Sequence, residues 1–174
     1  MKHLVLALAA LAAVPVQAQT DNSRVYASAS DPFTVELPSS FVYGTEAEVA
    51  PGRRVHLFTE LKEGGRTVTL DTVTGLSALR RAGYVSGSEL RRSLPQFSFS
   101  EIPLSTLPLS DDLDGSAESA FAFVNEGPSW REVGIIVRGC DERRCYSLGV
   151  GGADDGDGAE TQYAGFLSGF QFTD

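Results

Sequence analysis

Val133-Gly-Ile-Ile-Val-Arg138-Gly-Cys140-Asp-Glu-Arg-Arg-Cys145-Tyr-Ser-Leu-Gly-Val150 sets two stretches of β-branched or alternating apolar residues around a four-residue polar tip. That pattern predicts an antiparallel hairpin. Cysteines at the two ends of its tip are cross-strand partners, and such partners bring their Cβ atoms within disulfide reach. Closing so short a loop contributes ~2 kcal/mol on a chain-entropy estimate. A redox or metal role would call for a C-x-x-C spacing or further ligands, and the chain offers neither. Cys140 and Cys145 are therefore assigned to a structural disulfide.

The same strand signature spreads outward from the hairpin. Upstream, Ala120-Phe-Ala-Phe-Val124 reads as a strand and Asn125-Glu-Gly-Pro-Ser129 as a turn. Phe97 and Phe99 restart alternation after Pro95, and Pro95, Pro103 and Pro108 mark a loop-rich middle that leads into the acidic turn at 111–115. Nearer the N-terminus, Phe33-Thr-Val-Glu-Leu37, Val55-His-Leu-Phe-Thr59 and Thr67-Val-Thr-Leu70 alternate as strands. Glu63-Gly64-Gly65-Arg66 makes a tight connection between the last two, and Val25 and Tyr26 begin an edge strand. A helix capped by Asp71 or Thr72 follows, with Val73, Leu76, Leu79 and Arg80 at helical spacing and Gly83 at its C′ position. A shorter helix over 88–94 stops at Pro95. The chain closes with a helix over 158–169 in which Tyr163, Phe166, Leu167 and Phe170 form one apolar stripe.

Residues 1–18 have a different character. Lys2 and His3 precede the eleven-residue apolar run LVLALAALAAV, about 16 Å as a helix and too short for the roughly 30 Å hydrocarbon core of a bilayer. Pro15 and the small residues of Val16-Gln17-Ala18 complete a signal peptide cleaved after Ala18, with no cysteine for a lipid and no twin arginine. The chain is therefore expected to be periplasmic or secreted, with residues 19–174 forming a single exported α+β domain. Removing 18 of 174 residues leaves 156, enough for one ordinary core.

Charge narrows the partners. Fourteen basic residues against 23 acidic give a net charge of -9, which argues against nucleic acid and anionic membranes. No run is long enough to span a membrane.

Motifs that carry chemistry fail on inspection. Ser110-Asp-Asp112-Leu-Asp114-Gly115 matches the start of a calcium loop, but Phe121 stands where the bidentate glutamate belongs and Pro108 denies an entering helix. The acidic stretch at 154–160 lacks first and last ligands, and its carboxylates suit the N-terminus of the last helix. Gly149-Val-Gly151-Gly-Ala-Asp154 resembles a dinucleotide loop, yet Asp154 would repel a pyrophosphate. His56 is the one histidine beyond the leader, it sits in a strand, and no nucleophile elbow accompanies it. The pairs Arg53-Arg54, Arg80-Arg81, Arg91-Arg92 and Arg143-Arg144 read as solvated charges on separate elements, and Trp130 as a half-buried strand start. No catalytic residue, metal ligand or cofactor is assigned.

Strands in one sheet with helices packed on it make an α+β sandwich, a mostly antiparallel sheet flanked by helices. The opening Asp31-Pro-Phe-Thr-Val-Glu-Leu-Pro38-Ser-Ser-Phe41 resembles that of PsbP-like domains: an apolar strand, Leu-Pro, a short gap and an aromatic. The ending is similar too, with a strand like Cys145-Tyr-Ser-Leu-Gly-Val150, a helix and a terminal Gly-Phe-Gln-Phe172. The resemblance spans residues 31–172 and implies a PsbP-like α/β/α sandwich, generally a binding or assembly module without a shared catalytic constellation. Two readings of function follow. One is an exported non-catalytic interaction, assembly or ligand-binding module whose protein or small-molecule partner is unknown. The other is a small carboxylate-based periplasmic hydrolase or ligand carrier, with acids converging in a pocket.

Overall fold

The alternation in β2 (Phe33–Pro38) turns Phe33, Val35 and Leu37 to one face, where each is at most 1% exposed. The computed structural model, which describes residues 23–28, 30–61 and 65–173, pairs this strand antiparallel with β1 (Ser23–Ala27) on one side. On its other side lies β10 (Phe170–Phe172), so the two ends of the described chain meet in one three-stranded sheet. The expected leader at 1–18 lies outside the described residues, as does part of the connection expected at 63–66.

The remaining strands are β3 (Phe41–Ala50), β4 (Arg53–Glu60), β5 (Thr67–Thr74), β6 (Ser98–Ile102), β7 (Ala117–Gly127), β8 (Trp130–Cys140) and β9 (Arg144–Ala153). They form one antiparallel sheet in the order β3-β4-β5-β9-β8-β7-β6. One face packs on the small sheet, on α3 (Asp111–Ser116) and on α4 (Ala159–Tyr163). Phe58, Leu70, Ile135, Val137, Tyr146 and Leu148 meet Phe33, Leu37, Leu113, Tyr163, Leu167 and Phe170 in the main core. The other face carries α1 (Ala78–Val85) and α2 (Ser88–Ser93), which add two smaller apolar clusters around Tyr84 and Leu90. Among the described residues, no helix is long and apolar enough to cross a membrane.

At the tip of the β8–β9 hairpin, Cys140 and Cys145 are register partners, their Cα atoms 4.0 Å and their Sγ atoms 2.00 Å apart. Asp141 organises the turn by accepting the backbone N–H groups of Arg143 and Arg144, both at 2.7 Å, and the Arg144 Nε–H at 3.0 Å. Replacing both cysteines by alanine is expected to lower stability by about 2 kcal/mol, read from a urea titration. Burial opposes ionisation of the Asp141 carboxyl. The Arg144 backbone and guanidinium hydrogen bonds, with the Arg143 N–H, outweigh burial and hold the group below its ordinary 3.8. Its ionised form therefore stabilises the fold above that value and loses the effect as pH falls through the folded-state pKa. Asp141→Asn should cost about 1–2 kcal/mol at pH 7. Its melting temperature should converge with that of the parent once pH falls below the folded-state pKa.

Five sequence expectations change. The helix expected to open at Asp71 or Thr72 opens at Ala78 after Ser77, because β5 continues through Thr74. There Thr72 pairs with Tyr146, and Val73 lies between Arg53 and Cys145, so two backbone ladders override the helical spacing. Gly83 lies inside α1, and the left-handed glycine is Gly87 (φ 75°), where a Cβ would sit 2.4 Å from the Phe121 ring. The acidic turn at 111–115 is the short helix α3, with Ser110 accepting the Leu113 N–H and its carboxylates at the positive end of the helix. The expected turn at 125–129 contracts to Pro128-Ser129 because β7 runs through Gly127. The terminal helix expected over 158–169 gives way after Tyr163 to a 3-10 turn, Ala164–Gly169, which delivers Phe170 to β10.

Candidate functional site

Strand β9 sorts its side chains by size. Tyr146, Leu148 and Val150 point into the main core, while Ser147, Gly149 and Gly151 face the opposite side. On that side Asp71, Thr69 and Thr67 of β5 lie in register with Ser147, Gly149 and Gly151. From β8, Arg138, Ile136 and Gly134 stand opposite the same three. A row of small residues between taller neighbours makes a trough. Phe97, Phe99 and Phe123 wall it on one side, with Leu90 of α2 and Leu94 just beyond its end, and the cleft they enclose has a volume of about 380 Å³.

The three glycines play two parts. A Cβ at Gly134 or Gly151 would come within 2.3 or 2.5 Å of the Phe123 ring, so their bare backbones let that ring lie flat across the sheet. At Gly149 a Cβ would meet only Ile136 at 3.6 Å and the Thr69 carbonyl at 3.9 Å. That position is open floor.

One end of the trough is charged. Arg53 donates to both carboxylate oxygens of Asp71 at 2.5–3.1 Å, a closed bidentate pair. Arg138 is 4% exposed and lies over the Tyr84 ring at 3.8 Å. It donates one hydrogen bond, 2.5 Å long, to the Tyr84 carbonyl. Its Nη2 is 3.6 Å from Glu89, and its buried Nε makes no hydrogen bond. Burial, together with the Asp71 charge, pushes the Tyr84 hydroxyl up to about 12, so the ring stays neutral beside the guanidinium. Glu132 lines the opposite end, six residues from Arg138 along β8, about 20 Å away.

The residues singled out in the sequence lie elsewhere. His56 is fully buried, with Nε2 2.6 Å from Asp31 Oδ2. Asp31 also accepts from Thr72 Oγ1 at 3.1 Å and Arg54 Nη1 at 3.2 Å, so this cluster ties the β1–β2 loop to the large sheet. Among the arginine pairs, Arg91 and Arg92 are both exposed, as expected of solvated charges, whereas one member of each of the other three pairs corrects that expectation. Arg54 donates to the Ser30 carbonyl at 2.9 Å, Arg81 to the Asp141 and Arg144 carbonyls, and buried Arg144 packs over Phe172 at 4.1 Å. Trp130, expected to be half-buried, is 51% exposed at the hairpin turn, because the two-residue turn leaves nothing above it. Among the described residues, no group of three or more His, Cys, Asp or Glu side chains could hold a metal ion. The stretch Gly149-Val-Gly151, rejected as a dinucleotide loop because of Asp154, lies on the cleft floor. Its signal was the alternation of large and small residues along one strand.

No protein-family model and no curated protein matches the chain. A solved structure does: the solution structure of cyanobacterial PsbP (CyanoP) from Synechocystis sp. PCC 6803. It is similar at a TM-score of 0.51 and 11% identity, over 90% of this chain and 95% of that one. The mostly antiparallel sheet flanked by helices, and its resemblance to PsbP-like domains, are thus matched along nearly the whole chain, which has the PsbP-like fold.

Proposed function

We propose that this protein is an exported, non-catalytic binding module, residues 19–174 after removal of the leader, that takes an amphipathic small molecule in the cleft over β9. The supporting observation is the row Ser147, Gly149 and Gly151. It opens about 380 Å³ against an aromatic wall while the same strand fills the core on its other face. That volume falls within the roughly 300–1,000 Å³ of small-molecule sites, and a largely apolar lining with a few placed polar groups is their usual composition. The carboxylates lining it are spread apart. Asp71 is bound to Arg53, Glu89 faces Arg138, and Glu132 lies at the far end. This arrangement suits recognition and carriage rather than a pair of acids converging on one bond.

The test is a fluorescence titration of the protein, expressed with its own leader, with N-phenyl-1-naphthylamine, a neutral apolar probe. Binding should raise and blue-shift the emission. Gly149→Leu fills open floor without touching the core, and should weaken the probe by about tenfold or more with an unchanged circular dichroism spectrum. No enhancement, or equal binding by the variant, sinks the reading.

A further inference from the structure

Resting on the cleft as an amphiphile site, we infer that its ligand carries an anionic head, a carboxylate on a single apolar chain, and that this head binds Arg138 in place of Glu89. Arg138 is the least satisfied cation in the cleft. It is 4% exposed, yet its guanidinium makes one hydrogen bond, to the Tyr84 carbonyl, and its buried Nε makes none. A buried donor left without an acceptor costs on the order of 1–3 kcal/mol, and a ligand oxygen would recover that cost. Arg53 is not equivalent, because Asp71 already occupies it from both oxygens.

Glu89 is a replaceable counter-ion. It stands on the first turn of α2, its side chain is 40% exposed, and its nearest approach to Arg138 is 3.6 Å, too long for a hydrogen bond. It can swing into solvent when a carboxylate with better geometry arrives, so Arg138 keeps a negative partner in both states. The net charge of -9 opposes anions in general, so the selectivity is local. Arg53, Asp71, Glu89 and Arg138 sum to zero at this end, and Glu132 repels an anion from the other. The head is thereby directed to Arg138, while the chain runs over Ile136 and Gly149 against Phe99 and Phe123.

Displacement of N-phenyl-1-naphthylamine by laurate, dodecanol and dodecyltrimethylammonium, each below its micelle threshold at pH 7.5, tests the head group. Laurate should compete at about tenfold lower concentration than the other two, the weight of one charge-assisted hydrogen bond. Glu89→Gln removes an exposed competitor and should tighten laurate several-fold while leaving dodecanol unchanged. Arg138→Gln should abolish the preference for laurate. Equal competition by laurate and dodecanol, or no response of laurate to Glu89→Gln, overturns the anionic head and leaves the amphiphile cleft standing. Failure of all three to compete, with a probe signal indifferent to Gly149→Leu, removes the cleft reading itself.

Discussion

Phe33→Ala should destabilise the protein by about 3–5 kcal/mol, a large share of the roughly 5–15 kcal/mol that holds a domain together. Phe33 is 1% exposed and stands where the two sheets meet. Its ring stacks on Phe170 at 5.6 Å, meets His56 edge-on at 4.8 Å and faces Phe58 at 6.5 Å. Those contacts join β2 and β10 of the small sheet to β4 of the large one. Truncation leaves a cavity on that seam, and elements on either side cannot collapse into it without breaking a backbone ladder. Urea unfolding should show a lower midpoint with an unchanged slope, and Phe33→Leu, which keeps most of the volume, should recover more than half of the loss. A stability loss below about 1 kcal/mol would mean that the small sheet is not docked through this residue.

Asp31→Ala should cost about 3 kcal/mol for a different reason. The Asp31 carboxylate is the shared acceptor of His56, Thr72 and Arg54, on the β1–β2 loop. Without it, the imidazole, which is 0% exposed, loses a 2.6 Å partner in a setting that punishes unmet polarity. Replacing His56 and Asp31 together by leucine should recover part of the loss, because an apolar pair has no such requirement. Hydrogen exchange should place the effect. Amides of β1 and β2 should exchange faster in Asp31→Ala, while those of β8 and β9 keep their protection. Uniform acceleration across both sheets would argue that the cluster supports the whole core instead of the loop.

Much of the fold was legible because the strands on the core obey a period of two. The runs at 33–37, 55–59, 67–70 and 120–124 and the hairpin around Cys140 and Cys145 all became strands. β3 escaped because it is an edge strand. Glu46 and Glu48 alternate with small or exposed residues, and irregularities flank Gly44 and Val49, so no apolar period survives. The helix expected from Asp71 was misplaced because spacing within the segment ignores the strands on both of its sides.

The candidate site was less legible. His56 looked like a lone strand histidine, and its acceptor lies 25 residues away in a loop. Arg138 reads within its strand as one polar residue in an apolar run. That its Nε would be buried without a partner follows only once α1 brings the Tyr84 carbonyl to one end of the guanidinium.

By itself, then, the sequence determined the hairpin with its cysteine pair, the alternating strands, the acidic balance and the α+β class. These are local properties, set by side-chain period and turn chemistry over a few residues. Tertiary structure alone decided that Ser147, Gly149 and Gly151 floor a cleft. A small residue leaves space only where its neighbours across the sheet stand taller, and which strands flank β9 is settled by pairing between segments as distant as residues 67 and 151.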